Sequence, residues 1–188
     1  MKFGVPHITF LLITGSMLVG CSKTSMPEKY EPERAAEAAI EAYDTNQDGQ
    51  IDAEEMAACA ALESSLERID TNQDGVLDAD EISARIASYD NMSKYIVAET
   101  VVEDKKRPVS GAEITFEMEE FVGEGLPRFV GTTGIAGIVL PDSDPPGLLG
   151  FPLGFYRVTV VAQGKTHAFG AELADDVPTV SSMKFEIP

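Results

Sequence analysis

Asp44-Thr45-Asn46-Gln47-Asp48-Gly49-Gln50-Ile51-Asp52-Ala53-Glu54-Glu55 decides the fold of the first half of this 188-residue chain. It returns 26 residues later as Asp70-Thr71-Asn72-Gln73-Asp74-Gly75-Val76-Leu77-Asp78-Ala79-Asp80-Glu81. Both copies place oxygen donors at the same intervals. Positions 1, 3 and 5 are Asp44, Asn46 and Asp48, or Asp70, Asn72 and Asp74. Position 7 offers a backbone carbonyl, from Gln50 or Val76, and position 9 is Asp52 or Asp78. Position 12 is Glu55 or Glu81, whose carboxylate can supply two oxygens. A hard divalent cation such as Ca2+ takes six to eight oxygen ligands at about 2.3–2.6 Å, which is what this spacing offers. The chain must reverse between positions 5 and 7, and Gly49 and Gly75 stand there.

Both stretches fit D-x-[DN]-x-[DN]-G-x5-E and resemble the EF-hand calcium loop. No ligand position has decayed in either copy. The resemblance implies two Ca2+ ions, one per loop, with position 9 acting through a water. The flanks read as helices. Ala36, Ile40 and Tyr43 share one face of 33–43. Met56, Cys59, Leu62, Leu66 and Ile69 recur at helical steps in 54–69, and Ile82, Ile86 and Tyr89 do so in 79–89. In paired EF-hands the apolar position 8, here Ile51 and Leu77, joins the loops in a short antiparallel bridge. The link 56–69 is about 21 Å long if wholly helical. It is shorter than in familiar pairs, so the helices leaving one loop and entering the next must be short or share residues.

Residues 1–20 read as a secretory signal, with Lys2 ahead of an apolar run over 5–13 that is too short to span a bilayer. Leu18-Val19-Gly20-Cys21 resembles the lipobox of bacterial lipoproteins. That resemblance implies cleavage before Cys21, a lipid (diacylglyceryl and an acyl chain such as palmitate) on Cys21, and membrane anchoring by several chains. Ser22, in place of the Asp that retains lipoproteins at the inner membrane, favours the outer membrane of a two-membrane envelope. Residues 21–32 then form the lipidated end and a tether. With Cys21 lipidated, Cys59 is the other thiol and no intrachain disulfide is expected. Its place on an apolar stripe reads as a small buried hydrophobe.

Charge divides the remainder. Residues 28–90 carry 18 acids and 4 bases, whereas 91–188 carry 14 and 8. A chain of net charge −18 would be repelled by phosphate, so nucleic acid is not an expected partner. After Asp90 the helical pattern gives way to branched, aromatic, Gly and Pro residues. Strands are expected at 95–102, 112–118, 128–133, 135–140, 155–162, 166–173 and 179–187. The fold class expected is therefore α+β and multi-domain: a small all-α EF-hand pair over 33–90, then an all-β, seven-strand sandwich over 91–188.

Three stretches of this second half resemble the transthyretin-like, carboxypeptidase-regulatory-like β-sandwiches: Pro108-Val109-Ser110-Gly111-Ala112-Glu113-Ile114-Thr115-Phe116, Gly131-Thr132-Thr133-Gly134-Ile135-Ala136-Gly137-Ile138-Val139-Leu140, and Leu153-Gly154-Phe155-Tyr156-Arg157-Val158-Thr159-Val160. Thr133-Gly134 replaces the Asp usual in the middle motif, and the Pro-rich 141–152 is an unusual insert. The resemblance implies a fold in which Tyr156 packs inside, and no reaction.

No G-x-S-x-G elbow, H-E-x-x-H, P-loop or C-x-x-C occurs. His167 stands alone, and Glu117, Glu119 and Glu120 read as a solvated strand end, so no enzyme is expected. Two functions remain. One is a calcium-binding envelope lipoprotein, braced by its two sites, with a structural or adhesive sandwich. The other is a small ligand- or carbohydrate-binding lipoprotein in which calcium only stabilises the fold; exposed Phe or Tyr on one sandwich face would favour it. The partner on either reading is an unidentified envelope protein or glycan. Removing calcium is therefore expected to loosen 33–89 and leave the β domain folded.

Overall fold

Alternation and helical spacing turn into three stacked layers. The computed structural model describes residues 29–188 apart from Glu124. The expected signal segment, Cys21 and most of the expected tether lie outside the described residues. The helical layer comprises α1 (Pro32–Tyr43), α2 (Ala53–Met56), α3 (Ala60–Ile69), α4 (Ala79–Ser88) and a 3-10 turn at Tyr89–Asn91. Two-residue strands β1 (Gln50–Ile51) and β2 (Leu77–Asp78) pair antiparallel within it.

The middle layer is a five-stranded sheet. Its strands are β5 (Glu113–Met118), β6 (Arg128–Thr132), β8 (Asp142–Asp144), β9 (Gly154–Ala162) and β10 (Lys165–Leu173), in the order β10-β9-β5-β6-β8. The outer layer holds β3 (Glu99–Asp104), β4 (Arg107–Pro108), β7 (Ile138–Val139) and β11 (Ser182–Ile187), with β11 parallel to β3. Inward residues of the two sheets meet. Phe116 of β5 and Phe169 of β10 lie 5.9 and 5.1 Å, centroid to centroid, from Phe185 of β11. Tyr156 is fully buried, as the motif implied, and its hydroxyl donates to the Pro152 carbonyl.

Among the described residues the β region therefore has nine strands rather than the expected seven. The insert 141–152 supplies β8 as an edge partner of β6, and a two-lysine turn, with Lys105 and Lys106 at φ 48° and 64°, folds β4 back on β3. Other expected strands shorten. Residues 95–98 contribute a single bridge, Ile96 to Phe151, before β3 begins. Residues 134–137 close a turn through the Gly137 N–H and Gly134 carbonyl, leaving 138–139 as strand.

The expected helix 54–69 breaks after one turn. The N–H groups of Ala58 and Cys59 bond back three residues, to Glu55 and Met56, and Cys59 then turns extended to start α3. The break lets a short link re-aim the chain so that both loops reach the β1–β2 bridge, where Ile51 lies opposite Leu77 and both are fully buried.

At one end the middle sheet is buried on both faces. Gly154, Phe155 and Tyr156 of β9 are all covered. Tyr156 faces the outer sheet, where its ring meets Phe116 and Phe151. Phe155 meets the helices in a chain of rings running Tyr30, Tyr89, Phe155, Phe121, Tyr43, with successive centroids 5.5, 6.2, 5.8 and 6.2 Å apart. Edge and tilted contacts of this kind add about 0.5–1.5 kcal/mol per pair beyond area burial. Backbone touches backbone at Gly170 of β10, where a Cβ would lie 1.9 Å from the Ala60 carbonyl oxygen and 2.3 Å from the Ala61 nitrogen. No side chain fits between α3 and this strand. Gly170→Ala should cost at least ~3 kcal/mol, the upper end for overpacking. Urea unfolding followed by circular dichroism checks this; an unchanged midpoint would mean that α3 does not sit directly on β10.

Candidate calcium centres

Each calcium-loop motif begins where a helix ends. Asp44 closes α1 by bonding the Ile40 carbonyl, and Asp70 closes α3 on the Leu66 carbonyl. The loop then wraps around its own donors. Asp44 Oδ1 accepts from the N–H groups of Gln47 (2.7 Å) and Asp48 (3.2 Å), and Oδ2 from Gly49 (2.8 Å). Asn46 Oδ1 accepts from Asp48 N–H, and Asp48 Oδ1 from Gln50 N–H. The second loop repeats these bonds from Asp70, Asn72 and Asp74 to Gln73, Asp74, Gly75 and Val76. Gln47 and Gln73, at φ 61° and 62°, and Gly49 and Gly75, at 89° and 86°, make the reversal. A Cβ on either glycine would meet nothing, so conformation rather than space calls for Gly.

Positions 9 and 12 carry a second task. Asp52 and Asp78 are the N-caps of α2 and α4, and Glu55 and Glu81 reach back to the cap N–H groups. Glu55 Oε2 accepts from Asp52 N–H (3.0 Å), and Oε1 accepts from Thr45 and Asn46. Glu81 does the same with Asp78, Thr71 and Asn72. Both glutamates are buried. The Asp52 N–H, supported by Asn46 and Thr45, holds the Glu55 carboxyl below its ordinary range. The capping box was legible as Asp-x-x-Glu in each loop, a signal that the ligand reading passed over.

Every side chain proposed as a ligand is thus oriented by a backbone N–H. A carboxylate has about four lone-pair sites, so Asp48, Asp52, Asp74 and Asp78, with one or two such bonds, keep capacity for a cation, whereas Asp44, Asp70, Glu55 and Glu81 accept three or four and must exchange some of them for one. Among the described residues no group of three or more His, Cys, Asp or Glu closes by itself into a metal cluster. The carboxylates rest on N–H donors instead, which offsets the repulsion of five acids in each twelve-residue loop. The donor set, hard oxygen throughout, fits Ca2+ and offers no nitrogen or sulfur for a softer metal. The EF hand family matches residues 36–60 and 62–86, the two helix-loop-helix segments, which implies calcium binding by this region. No curated protein matches the chain, and no solved structure does. Among the described residues, no helix is long and apolar enough to cross a membrane.

The helices that hold the loops are fastened to the β region by polar groups that sequence reading did not find. Arg68, two residues before Asp70, donates to Glu172 Oε2 (2.6 Å). Arg85, four after Glu81, donates to Glu172 Oε1 (2.5 Å) and grips both oxygens of Asp176 at 2.7 Å. Tyr89 also donates to Glu172 Oε1 (2.7 Å). Asp176, more than Glu172, raises the Arg85 guanidinium above its ordinary value, and Arg85 in turn holds Asp176 low. On the other loop, Tyr43, just before Asp44, donates to Glu119 Oε2 (3.2 Å) beside the buried Cys59. Burial pushes the Cys59 thiol up to about 11, in keeping with an inert core residue. Glu119 was expected to be solvated; it is buried, and burial raises its carboxyl above the ordinary value despite Arg157.

Glu55→Gln and Glu81→Gln keep the capping oxygen but remove ligand charge, so each should weaken its own site by about tenfold or more, or roughly 1.4 kcal/mol. Calorimetric calcium titration of the two variants checks this. Glu119 binds its proton more tightly folded than unfolded, so its contribution is favourable at low pH and is lost as pH rises through the raised value. Glu119→Gln keeps an acceptor for Tyr43 without that loss. Its urea midpoint should exceed wild type near pH 8 and match it near pH 4. The opposite order would mean that the carboxylate is stabilised at this site.

Proposed function

We propose that this chain is a calcium-braced, lipid-anchored protein of a bacterial envelope that works by binding and not by catalysis. The paired loops carry the reading: two complete oxygen-donor sets, each pre-oriented by its own backbone and joined through Ile51 and Leu77. On this reading each loop takes one Ca2+, through Asp44, Asn46, Asp48, Gln50, Asp52 and Glu55, and through Asp70, Asn72, Asp74, Val76, Asp78 and Glu81. The ions add no chemistry beyond charge and rigidity. Lipidation at Cys21 supplies the anchor, and the two facing sheets are a transthyretin-like sandwich that serves as a structural or adhesive module. Among the described residues Tyr95 is the one strongly exposed aromatic, which gives little support to a sugar-stacking platform.

Extracellular calcium modules work at Kd values of about 10^-4–10^-3 M, and at ten times Kd each ion adds about 1.4 kcal/mol to the folded state. The clamps at Glu172 and Glu119 pass that stability to the β region. EDTA should therefore lower one cooperative melt of the whole chain, not a separate melt of 33–89. Calorimetric scans with and without calcium test the brace. Labelling cells with an alkyne fatty acid tests the anchor: wild type should label and partition into detergent, and Cys21→Ser should not. Unlabelled wild-type protein in the medium would overturn the anchor, and a melt indifferent to EDTA would overturn the brace.

A further inference from the structure

The outer sheet turns an apolar strip to solvent at the end where the chain arrives from Cys21. Ile96, Ala98, Thr100 and Val102 are buried, so Tyr95 and Val97, exposed by 46% and 54%, lie on the opposite, outward face. Val101 pairs with Ile138, which brings Ile138 and Leu140 to the same outward face, Leu140 being 57% exposed. Leu149 is 81% exposed, and its neighbour Gly150 packs so closely on the Tyr95 ring that a Cβ would lie 2.9 Å from it. Glu99 interrupts the row; Tyr95, Val97 and Leu149 lie on the side of it where the chain arrives. Contiguous exposed apolar surface marks a site of association.

Position within the fold says with what. The Tyr30 hydroxyl donates to the Leu153 carbonyl at 2.7 Å, and Leu153 follows Phe151, the bridge partner of Ile96. From Cys21 to Tyr30 the chain can reach at most about 30 Å. From there α1 runs about 18 Å away before the first calcium loop begins. The helix α4 returns from the second loop to Tyr89, 5.5 Å from Tyr30. Each loop is thus separated from Tyr30 by the length of a helix, α1 or α4, whereas the strip is reached from Tyr30 through Leu153 and the Phe151–Ile96 bridge. A tyrosine among aliphatic side chains is the composition that settles at a lipid–water boundary.

We propose, on the reading that Cys21 is lipidated, that Tyr95, Val97, Leu140 and Leu149 rest on the bilayer surface and hold the calcium loops away from the headgroups. The anchor and the strip then act together. Each alone leaves orientation free, and the pair fixes which end of the molecule faces outward.

The test uses the mature lipidated protein in phosphatidylethanolamine–phosphatidylglycerol vesicles. Val97→Cys and Leu149→Cys receive an environment-sensitive fluorophore; Gln163→Cys, in the turn at the other end of the nine-residue β9, is the control. Cys59 is buried and stays unlabelled. In vesicles recovered by flotation, the labels at 97 and 149 should shift to the blue and be quenched several-fold more by lipid-borne nitroxide than the label at 163. If aqueous iodide quenches all three alike on floating protein, the strip faces water and the proposal fails while the anchor stands. A blue shift without vesicles that grows with protein concentration would assign the strip to a second copy and overturn the proposal. Protein that carries no lipid and does not float would remove both the anchor and the proposal.

Discussion

Glu172 is the carboxylate on which the arrangement of this chain depends. Its side chain is wholly buried, and it receives Arg68 on one oxygen and Arg85 and Tyr89 on the other. A buried charge left without partners costs several kcal/mol, and breaking a buried pair costs about 3–5. The three donors come from α3, α4 and the turn that follows α4, so the helical layer satisfies this strand residue only when both helices are in place. Glu172 pairs in register with Phe155, which carries the middle of the aromatic chain. One strand pair thus presents an apolar anchor and a polar anchor side by side to the same helices.

This has a consequence for calcium. The first candidate ligand of each loop follows a clamped residue: Asp44 follows Tyr43, and Asp70 comes two after Arg68. The last candidate ligand of the second loop, Glu81, stands in the first turn of the helix that carries Arg85. Whatever rigidity an ion gives a loop is therefore passed through less than two helical turns to groups fixed on β10 or at the end of β5. Gly170 removes the remaining play by letting α3 and β10 touch through backbone. Independence of the two halves, natural to expect from a sharp change in composition, is not what the packing supports.

The calcium loops were legible because their chemistry is local. Twelve consecutive residues carry both the ligands and the turn that gathers them, and a doubled match needs no tertiary information. Ile51 and Leu77 were legible for the same reason. The break of 54–69 into α2 and α3 was half legible: the short link demanded it, but Ala57-Ala58 has no breaker, and the position is set by loop pairing. The clamps were not legible. Arg68, Arg85, Glu172 and Asp176 read as ordinary surface charges on an acidic chain, and a separation of 87 or 91 residues leaves no local trace of a hydrogen bond. Glu119 failed for a related reason. It stands in a run of acids that looks solvated until Tyr43 and Phe121 cover it.

The extra strands show the same limit from the other side. Alternation located β5, β6 and β9 to within a residue or so, since a strand in the middle of a sheet is held by neighbours on both sides and must match them. Edge strands carry half that constraint. β4, β7 and β8 are two or three residues long, and β8 lies in a Pro-rich segment that reads as loop because an edge tolerates Pro where a central strand does not. The edge is also where the outer sheet is short enough to leave Ile138 and Leu140 uncovered. What the pattern resolved least well is thus the part of the fold left free for contact with something outside it.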